Sequence, residues 1–534
     1  MPHSQSNLRP ESSDPAAPLQ VEELLRAQAY PHPVNGLILR QTHISWVILT
    51  GSVAYKIKKP VHLGFIDATT LERRHHYCCE ELRLNRRLAP ELYEQVVAIT
   101  RTDGQARVGG TGPAIEYAVR MKQFGETAEL LSLLARHDVS ADEFAALGEL
   151  LAHFHRNAAV AAWTGNHDKT EQMYEAVLGN LGQLVATAAD PALTPILKRL
   201  VDWSFEQVRT LEPSFRQREQ SGFIREGHGD LHCGNIVRSQ GRLTPFDCIE
   251  FDPRLRWIDV IDDIAFLVMD LISHDRADLA YAMLSRYLET TGDYESIQLL
   301  PFYAAYRALV RAKVDVLTAQ QVPARASEFH RRLHERIRAA VHWTEPRQPV
   351  LVLMHGPSAS GKSWLSERLV PAVPAIRLRS DVERKRLAGL ESTARTAAQL
   401  QQGIYSPEFS HRTYGRLADC AETCLRAGLS VIVDAAFLET TDREMFTTLA
   451  IRMKVPWLIV SCHAASETLA RRIRERSHSA TEASDADLAV LTAQLGSAQP
   501  LSETERAQTV TIDTGATDAI ARVTAAVRAS LTTI

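Results

Sequence analysis

Eight residues constrain this chain more than any others. Gly356-Pro357-Ser358-Ala359-Ser360-Gly361-Lys362-Ser363 stands between the apolar run Val350 to Met354 and a helical pattern over Trp364 to Leu369. Small residues there let backbone N–H groups curl around phosphate oxygens, Lys362 reaches the outer phosphates, and the Ser363 hydroxyl suits Mg²⁺. A Gly/Ser-rich loop can match by chance, but the strand before it and the helix after it argue against that.

Other residues in the last third extend this reading. Candidate strands at Ala375 to Leu378, Val431 to Val433 and Trp457 to Ser461 alternate with helical stretches, which predicts a parallel α/β sheet. Asp381 follows the first of these at the strand's carboxyl edge, where open α/β sheets bind ligands, and is the candidate base toward an acceptor hydroxyl. A plain helix N-cap is its alternative role. Arg384, one turn on, is placed to orient Asp381 or hold a phosphate, and Asp434 ends the strand VIVD as a candidate Mg²⁺-water ligand or an ordinary strand-end acid. Arg472 and Arg476 lie one helical turn apart before the polar stretch Ser477 to Ser484, as a lid over a phosphate or as a solvated basic face.

Together GPSASGKS, SDVER, Tyr405-Ser-Pro, VIVDAAF, the arginine pair and Ser484-Asp-Ala resemble the small P-loop kinases related to zeta toxins, chloramphenicol phosphotransferase and gluconate kinase, from Val350 to about Glu505. The resemblance implies ATP and Mg²⁺ at Lys362 and Ser363, Asp381 as base, and Arg472 and Arg476 as lid arginines. It leaves the acceptor open.

A second constellation lies upstream. In HGDLHCGN the spacing from His228 through Asp230 to Asn235 is that of a loop in which an aspartate accepts a hydroxyl proton and an asparagine five residues later helps bind metal. Asp247 follows after a short apparent hairpin. A His228/Asp230/His232 metal site is the alternative, but no further ligand cluster accompanies it. Earlier still, a hairpin is expected from His43 to Leu49 and Val53 to Ile57 about the turn Thr50-Gly51-Ser52. Its second strand, VAYK, puts Ala54 and Lys56 on one face, with Lys56 suited to α- and β-phosphates. Glu81 falls on the apolar stripe of a helix over Leu71 to Leu88 and is the natural partner of Lys56, with Glu80 and Lys58 as substitutes.

This set resembles aminoglycoside phosphotransferase-like kinases from about His43 to Ala312, including Leu147 to His155, PFDCIEFD and Asp263-Ile-Ala. The resemblance implies Asp230 as base, Asn235 and Asp247 as Mg²⁺ ligands, Asp263 as a structural acid behind the catalytic loop, and Met121 to Phe124 as the hinge at adenine. Two departures stand out: the hairpin turn has Gly51 without GxGxxG, and Asp-Cys-Ile replaces Asp-Phe-Gly. The order of the two parts resembles bacterial proteins described as a fused aminoglycoside phosphotransferase-like domain and ATP-binding P-loop protein.

Length and composition agree with two domains. The chain has 534 residues, 45% hydrophobic and 23% charged, which suits large soluble cores. We expect a flexible tail over 1–20, an aminoglycoside phosphotransferase-like domain of bilobal protein-kinase-like fold over 21–342, a proline-bearing linker over 343–349, and a P-loop domain over 350–534. A formal charge of −4 gives no overall footprint for nucleic acid. Seven cysteines without metal spacing, and no apolar leader or span of about 18 residues, make a cytoplasmic chain with reduced thiols the expectation. The function expected is ATP- and Mg²⁺-dependent phosphotransfer at two centres to small-molecule hydroxyl acceptors, with no membrane and no obligate protein partner. Two alternatives are a nucleotide-sensing module controlling its neighbour, and a polynucleotide 5'-kinase using Arg377, Arg379, Arg384, Lys385 and Arg386 as a phosphate patch.

Overall fold

The structure is a computed structural model and describes residues 18–63, 66–161, 169–187, 190–321, 323–392, 394, 403–476 and 488–532. Most of the expected tail and the segment holding Ser484 therefore lie outside the described residues. Packing divides the chain into two compact units, one of residues 1–139, 158–161 and 224–259, the other of 140–157, 162–223 and 260–534.

The first unit is built on six antiparallel strands. They are β1 (Ile38–Gln41), β2 (Ser45–Leu49), β3 (Val53–Lys58), β4 (Tyr93–Thr102), β5 (Gln105–Val108) and β6 (Ala114–Lys122), in the order β1-β2-β3-β6-β4-β5. Alternation along β3 sorts its side chains by face. Tyr55 and Ile57 enter one apolar cluster with Leu24, Ile48 and Ile99, while Ala54 joins Cys78, Leu92, Val119 and Met121 in another. Helix α1 (Leu71–Asn85) begins at Thr70, whose hydroxyl accepts from the Arg73 N–H, and brings Cys78 into the second cluster. After α2 (Leu130–Ala135) come β7 (Ile224–Glu226), β8 (Ile236–Ser239), β9 (Arg242–Pro245) and β10 (Trp257–Asp259), paired antiparallel as β7 with β10 and β8 with β9.

In the second unit, helices come first: α3 (Ala141–Asn157), α4 (Lys169–Thr187), α5 (Thr194–Gln220), α6 (Val260–Ser273), α7 (Ala277–Thr291), α8 (Leu300–Gln321) and α9 (Ala326–Thr344). Helix α6 is buried nearly all round, so its acids need partners: Arg307 forks onto Asp262 at 2.7 and 2.6 Å, and His155 Nε2 lies 3.3 Å from Asp263. Close approach of α3 to α7 depends on Gly148, where an added Cβ would sit 2.3 Å from the Met283 carbonyl oxygen.

A parallel sheet follows. β11 (Leu351–His355) leads into α10 (Lys362–Ala372), then β12 (Ala375–Arg379), α11 (Ser380–Leu387), α12 (Pro407–Arg426), β13 (Ser430–Asp434), α13 (Thr440–Met453) and β14 (Trp457–His463). α14 (Ser466–Arg476), α15 (Leu488–Ser497), α16 (Glu503–Ala507), β15 (Thr509–Asp513) and α17 (Ala519–Thr532) complete it. The order is β12-β13-β11-β14-β15, with every pair parallel. Both expected folds are present: a protein-kinase-like antiparallel sheet, and a P-loop parallel sheet flanked by helices. All seven cysteines are free, with Cys420 and Cys424 both buried on α12. No described helix is long and apolar enough to cross a membrane.

Candidate functional site

In the first unit Lys56, Glu81 and Asp247, expected from the sequence, meet in one alternating row of charges. Lys56 lies 2.8 Å from Glu81 and also pairs with Asp247; Lys58 lies 2.6 Å from the other oxygen of Glu81 and also pairs with Glu250. The row therefore reads Asp247, Lys56, Glu81, Lys58, Glu250. Strand alternation explains it, because Lys56 and Lys58 share the face of β3 that meets α1. Glu81 and Lys58 are wholly buried, whereas Asp247 is 38% exposed at the open end. Burial alone would lower the Lys56 pKa, but the Asp247 and Glu81 carboxylates outweigh it and hold the ammonium well above its ordinary value. Burial likewise pushes Glu81 up, and the two lysines overcome it, keeping the carboxyl below its usual range. Lys58 is a second partner of Glu81, and Glu250 closes the row beyond it.

The loop beside this row is held from within. Asn235 Nδ2 donates to the Asp230 carbonyl and to Asp230 Oδ2, both at 3.0 Å, and His232 Nε2 lies 3.5 Å from the same carboxylate. His228 joins the Phe246 carbonyl through Nε2 at 2.9 Å and accepts from the Asp230 N–H at Nδ1, so it acts as a brace under the loop. Gly229 has φ +84, and a Cβ there would meet the Leu255 carbonyl oxygen at 2.6 Å. Asp247 is itself left-handed, φ +67, with its N–H given to the Tyr93 hydroxyl at 3.2 Å. That turn aims the carboxylate back at Lys56. Upstream, Arg87 donates to the carbonyls of Glu226 and Gly227 at 2.6 and 3.0 Å, fixing where the loop begins.

The glycine-poor hairpin turn has its own solution. Gln123 Oε1 accepts from the N–H groups of Thr50 and Gly51 at 3.0 and 2.8 Å. A side chain thus binds the donors of this turn. Phe124, in the expected hinge, packs edge-on against Phe246 at 5.2 Å.

In the second unit, the loop Gly356 to Ser363 joins β11 to α10. Gly356, Ala359 and Gly361 all have positive φ, +133, +63 and +93, and a Cβ at Gly361 would press the Thr514 side chain at 2.6 Å. Lys362 Nζ donates to the Pro357 carbonyl at 2.7 Å across the loop, and the buried Ser360 hydroxyl has no hydrogen-bond partner among the described residues. Asp434 ends β13 buried, its Oδ2 accepting from Arg377 Nη2 at 2.7 Å and Ser366 Oγ at 3.1 Å. Burial would raise its pKa, but Arg377 and Arg379 hold it lower. Arg377 also donates to the Ser363 carbonyl at 3.0 Å. The arginine thereby links strand end and loop.

The remaining residues fall around this centre. Asp381 sits half-buried in the first turn of α11; the N-cap is Arg379, so the capping role does not apply. Arg384 is turned to the Ile404 carbonyl at 2.9 Å and Ser410 Oγ at 3.0 Å, with Tyr405 beneath it. Arg472 donates to the Ala359 carbonyl and to Thr514 Oγ1, each at 3.1 Å, and so rests directly on the loop. Arg476 ends α14, and its side chain lies outside the described residues. Leu469, Ile473 and Leu491 pack α14 and α15 onto Ala359, while Gln494 Oε1 accepts from the Ser358 N–H at 2.7 Å. Gln494 and Thr514 carried no motif signal. The proposed nucleic-acid patch does not form a surface: Arg377, Arg384 and Lys385 are buried, and Arg379 and Arg386 pair with Glu289 and Glu383.

Fold and sites define a class in which a protein-kinase-like fold and a P-loop nucleotide-binding domain share one chain. The AAA domain family matches residues 351–501. The chain belongs to the family of the uncharacterized protein Rv2004c of Mycobacterium tuberculosis (strain ATCC 25618 / H37Rv), being 30% identical to it over 467 residues, 87% of this chain and 91% of the relative. Among solved structures, a gluconokinase from Sinorhizobium meliloti 1021 is 18% identical, covering 34% of this chain and 95% of its own, with a TM-score of 0.25. A choline/ethanolamine kinase family protein from Mesorhizobium loti is 12% identical, covering 61% and 95%, with a TM-score of 0.37.

Proposed function

We propose that the chain is an ATP-dependent phosphotransferase with two centres, each passing a phosphoryl group to a hydroxyl of a small molecule. The observation that carries this reading is the pairing, in one chain, of the Lys56–Glu81–Asp247 row beside Asp230 with the positive-φ loop ending in Lys362 and Ser363. The domain limits 21–342 and 350–534 go with the same proposal.

Both donor sets fit a hard divalent cation such as Mg²⁺. Asn235 and Asp247 offer oxygens in the first unit, and Ser363 with Asp434 in the second, where both bonds to the Asp434 carboxylate end on Oδ2. When bound, Mg²⁺ would neutralise charge on the nucleotide phosphates. At the first centre Lys56 binds phosphate oxygens while Glu81 keeps its ammonium in place. Asp230 takes the acceptor's proton as the acceptor oxygen bonds to the γ-phosphorus; the bond from that phosphorus to its bridging oxygen breaks, and ADP leaves. At the second, Asp381 has the corresponding role, and Lys362, Arg384, Arg472 and Arg476 are the cationic groups for the phosphates.

The test is incubation of the full chain with labelled ATP and a fractionated extract of small metabolites, identifying labelled products by mass. Asp230→Asn and Asp381→Asn are expected each to remove one product, lowering its rate by about 10²–10⁴-fold with ATP binding nearly intact. Full turnover of every product in either variant refutes that base. Tight ATP binding without any transfer would point instead to nucleotide sensing.

A further inference from the structure

The outer edge of the P-loop sheet is covered by a helix from the kinase-like stretch of sequence. β12 is an edge strand, and α7 packs against both it and α10. An edge strand leaves backbone donors that need partners. Ser285 of α7, itself buried, accepts the Arg377 N–H at 3.0 Å through its hydroxyl. One turn further along α7, Glu289 pairs with Arg379 at 3.0 Å and gives its backbone carbonyl to Arg386.

Both arginines bear on the proposed chemistry. The Arg377 guanidinium holds Asp434 and the Ser363 carbonyl. Arg379 stands two residues before Asp381 and is the register partner of Asp434 across β12 and β13. Glu289 is only 8% exposed, so a carboxylate there is costly unless it answers a cation. Without it, the partly buried Arg379 cation would be left to the carboxylates meant for the metal and the acceptor.

We propose that Ser285 and Glu289 are positioning residues of the P-loop centre: Ser285 fixes the strand that carries Arg377, and Glu289 neutralises Arg379 so that Asp434 stays available to a divalent cation. The inference rests on reading the P-loop as a Mg²⁺·nucleotide centre. It also means that this centre is completed by a helix preceding the 343–349 segment.

The test uses the full chain carrying Lys56→Met, to weaken nucleotide binding at the other centre, and calorimetric titration with a non-hydrolysable ATP analogue in Mg²⁺ and in EDTA. Glu289→Gln is expected to cut the Mg²⁺-dependent gain in affinity by about tenfold while leaving binding in EDTA little changed. Glu289→Asp should recover most of the gain. So should Arg379→Met added to Glu289→Gln, since it removes the stranded cation, a rescue that a purely packing role would not give. A gain in Glu289→Gln equal to its parent, or a loss equal in EDTA and Mg²⁺ that Arg379→Met does not repair, overturns the proposal. If Glu289→Gln does not fold, as judged by melting, Ser285→Ala carries the test: a roughly threefold loss confined to Mg²⁺ supports it, and no loss overturns it. Lys362→Ala is the control for the underlying reading, because analogue binding that survives it removes the P-loop centre itself rather than the role of α7.

Discussion

Lys56 and Lys58 differ by one strand period and share a face, yet their surroundings assign them different work. Lys58 is fully buried between Glu81 and Glu250, so Lys58→Met strands the buried Glu250 carboxylate, leaves Glu81 with Lys56 alone, and should lower stability by about 3–5 kcal/mol in chemical unfolding. Lys56→Met leaves Glu81 still paired with Lys58. Its stability loss should be smaller, while turnover at the first centre falls by roughly 100-fold or more. A larger unfolding effect for Lys56→Met than for Lys58→Met would contradict this division. His355 offers a pH signature in the other unit. Burial, then the nearby Arg443 and Lys362 charges, lowers its pKa from 6.5 to about 4. A histidine whose folded pKa is depressed contributes stability that is present above pH 6.5 and is lost as the pH falls toward 4, because only the unfolded chain takes up the proton in that window. Melting temperatures of wild type and His355→Gln should therefore converge on going from pH 7.5 to pH 4.5.

Helix pairing at the element scale turns on single atoms. α3 and α7 approach so closely at Gly148 that Gly148→Ala drives a methyl group into the Met283 carbonyl, 2.3 Å away, and backbone cannot move aside cheaply. A loss of about 1–3 kcal/mol is expected, read as a lower melting temperature. The same helix carries Ser285 and Glu289 toward β12, so the variant should also weaken Mg²⁺-dependent analogue binding in the second unit. Helix α1 shows the converse economy of means: Cys78 packs its core face, Glu81 receives two lysines, and Asn85 accepts the Cys248 N–H at 2.9 Å, which fixes the residue after Asp247. Only Glu81 of that trio could be read from periodicity, because a charge on an apolar stripe announces a partner while a cysteine or an asparagine does not.

At the scale of the molecule, the two centres are proposed to be chemically independent, which the separate effects of Asp230→Asn and Asp381→Asn would reveal. The packing units do not follow the proposed linker. Helices α3 to α9 group with the P-loop sheet, although their sequence lies with the kinase-like motifs. Two prolines ahead of an apolar run mark a boundary by composition, and composition has no means of registering which helix covers a sheet edge.

What the sequence determined by itself are the features with short-range physical causes. The β2–β3 hairpin, the P-loop between β11 and α10, the strand end at Asp434 and the Asp230–Asn235 loop each follow from local periodicity, small residues or fixed spacing. Tertiary structure alone decided which distant charges meet. Lys58 finds Glu250 across 192 positions, Gln494 reaches the Ser358 N–H across 136, and Ser285 caps Arg377 across 92. The reason is that burial makes a partner obligatory for a charge or a donor without specifying where in the chain that partner lies. The P-loop can be read from eight consecutive residues; the neutralisation of the arginines around it cannot.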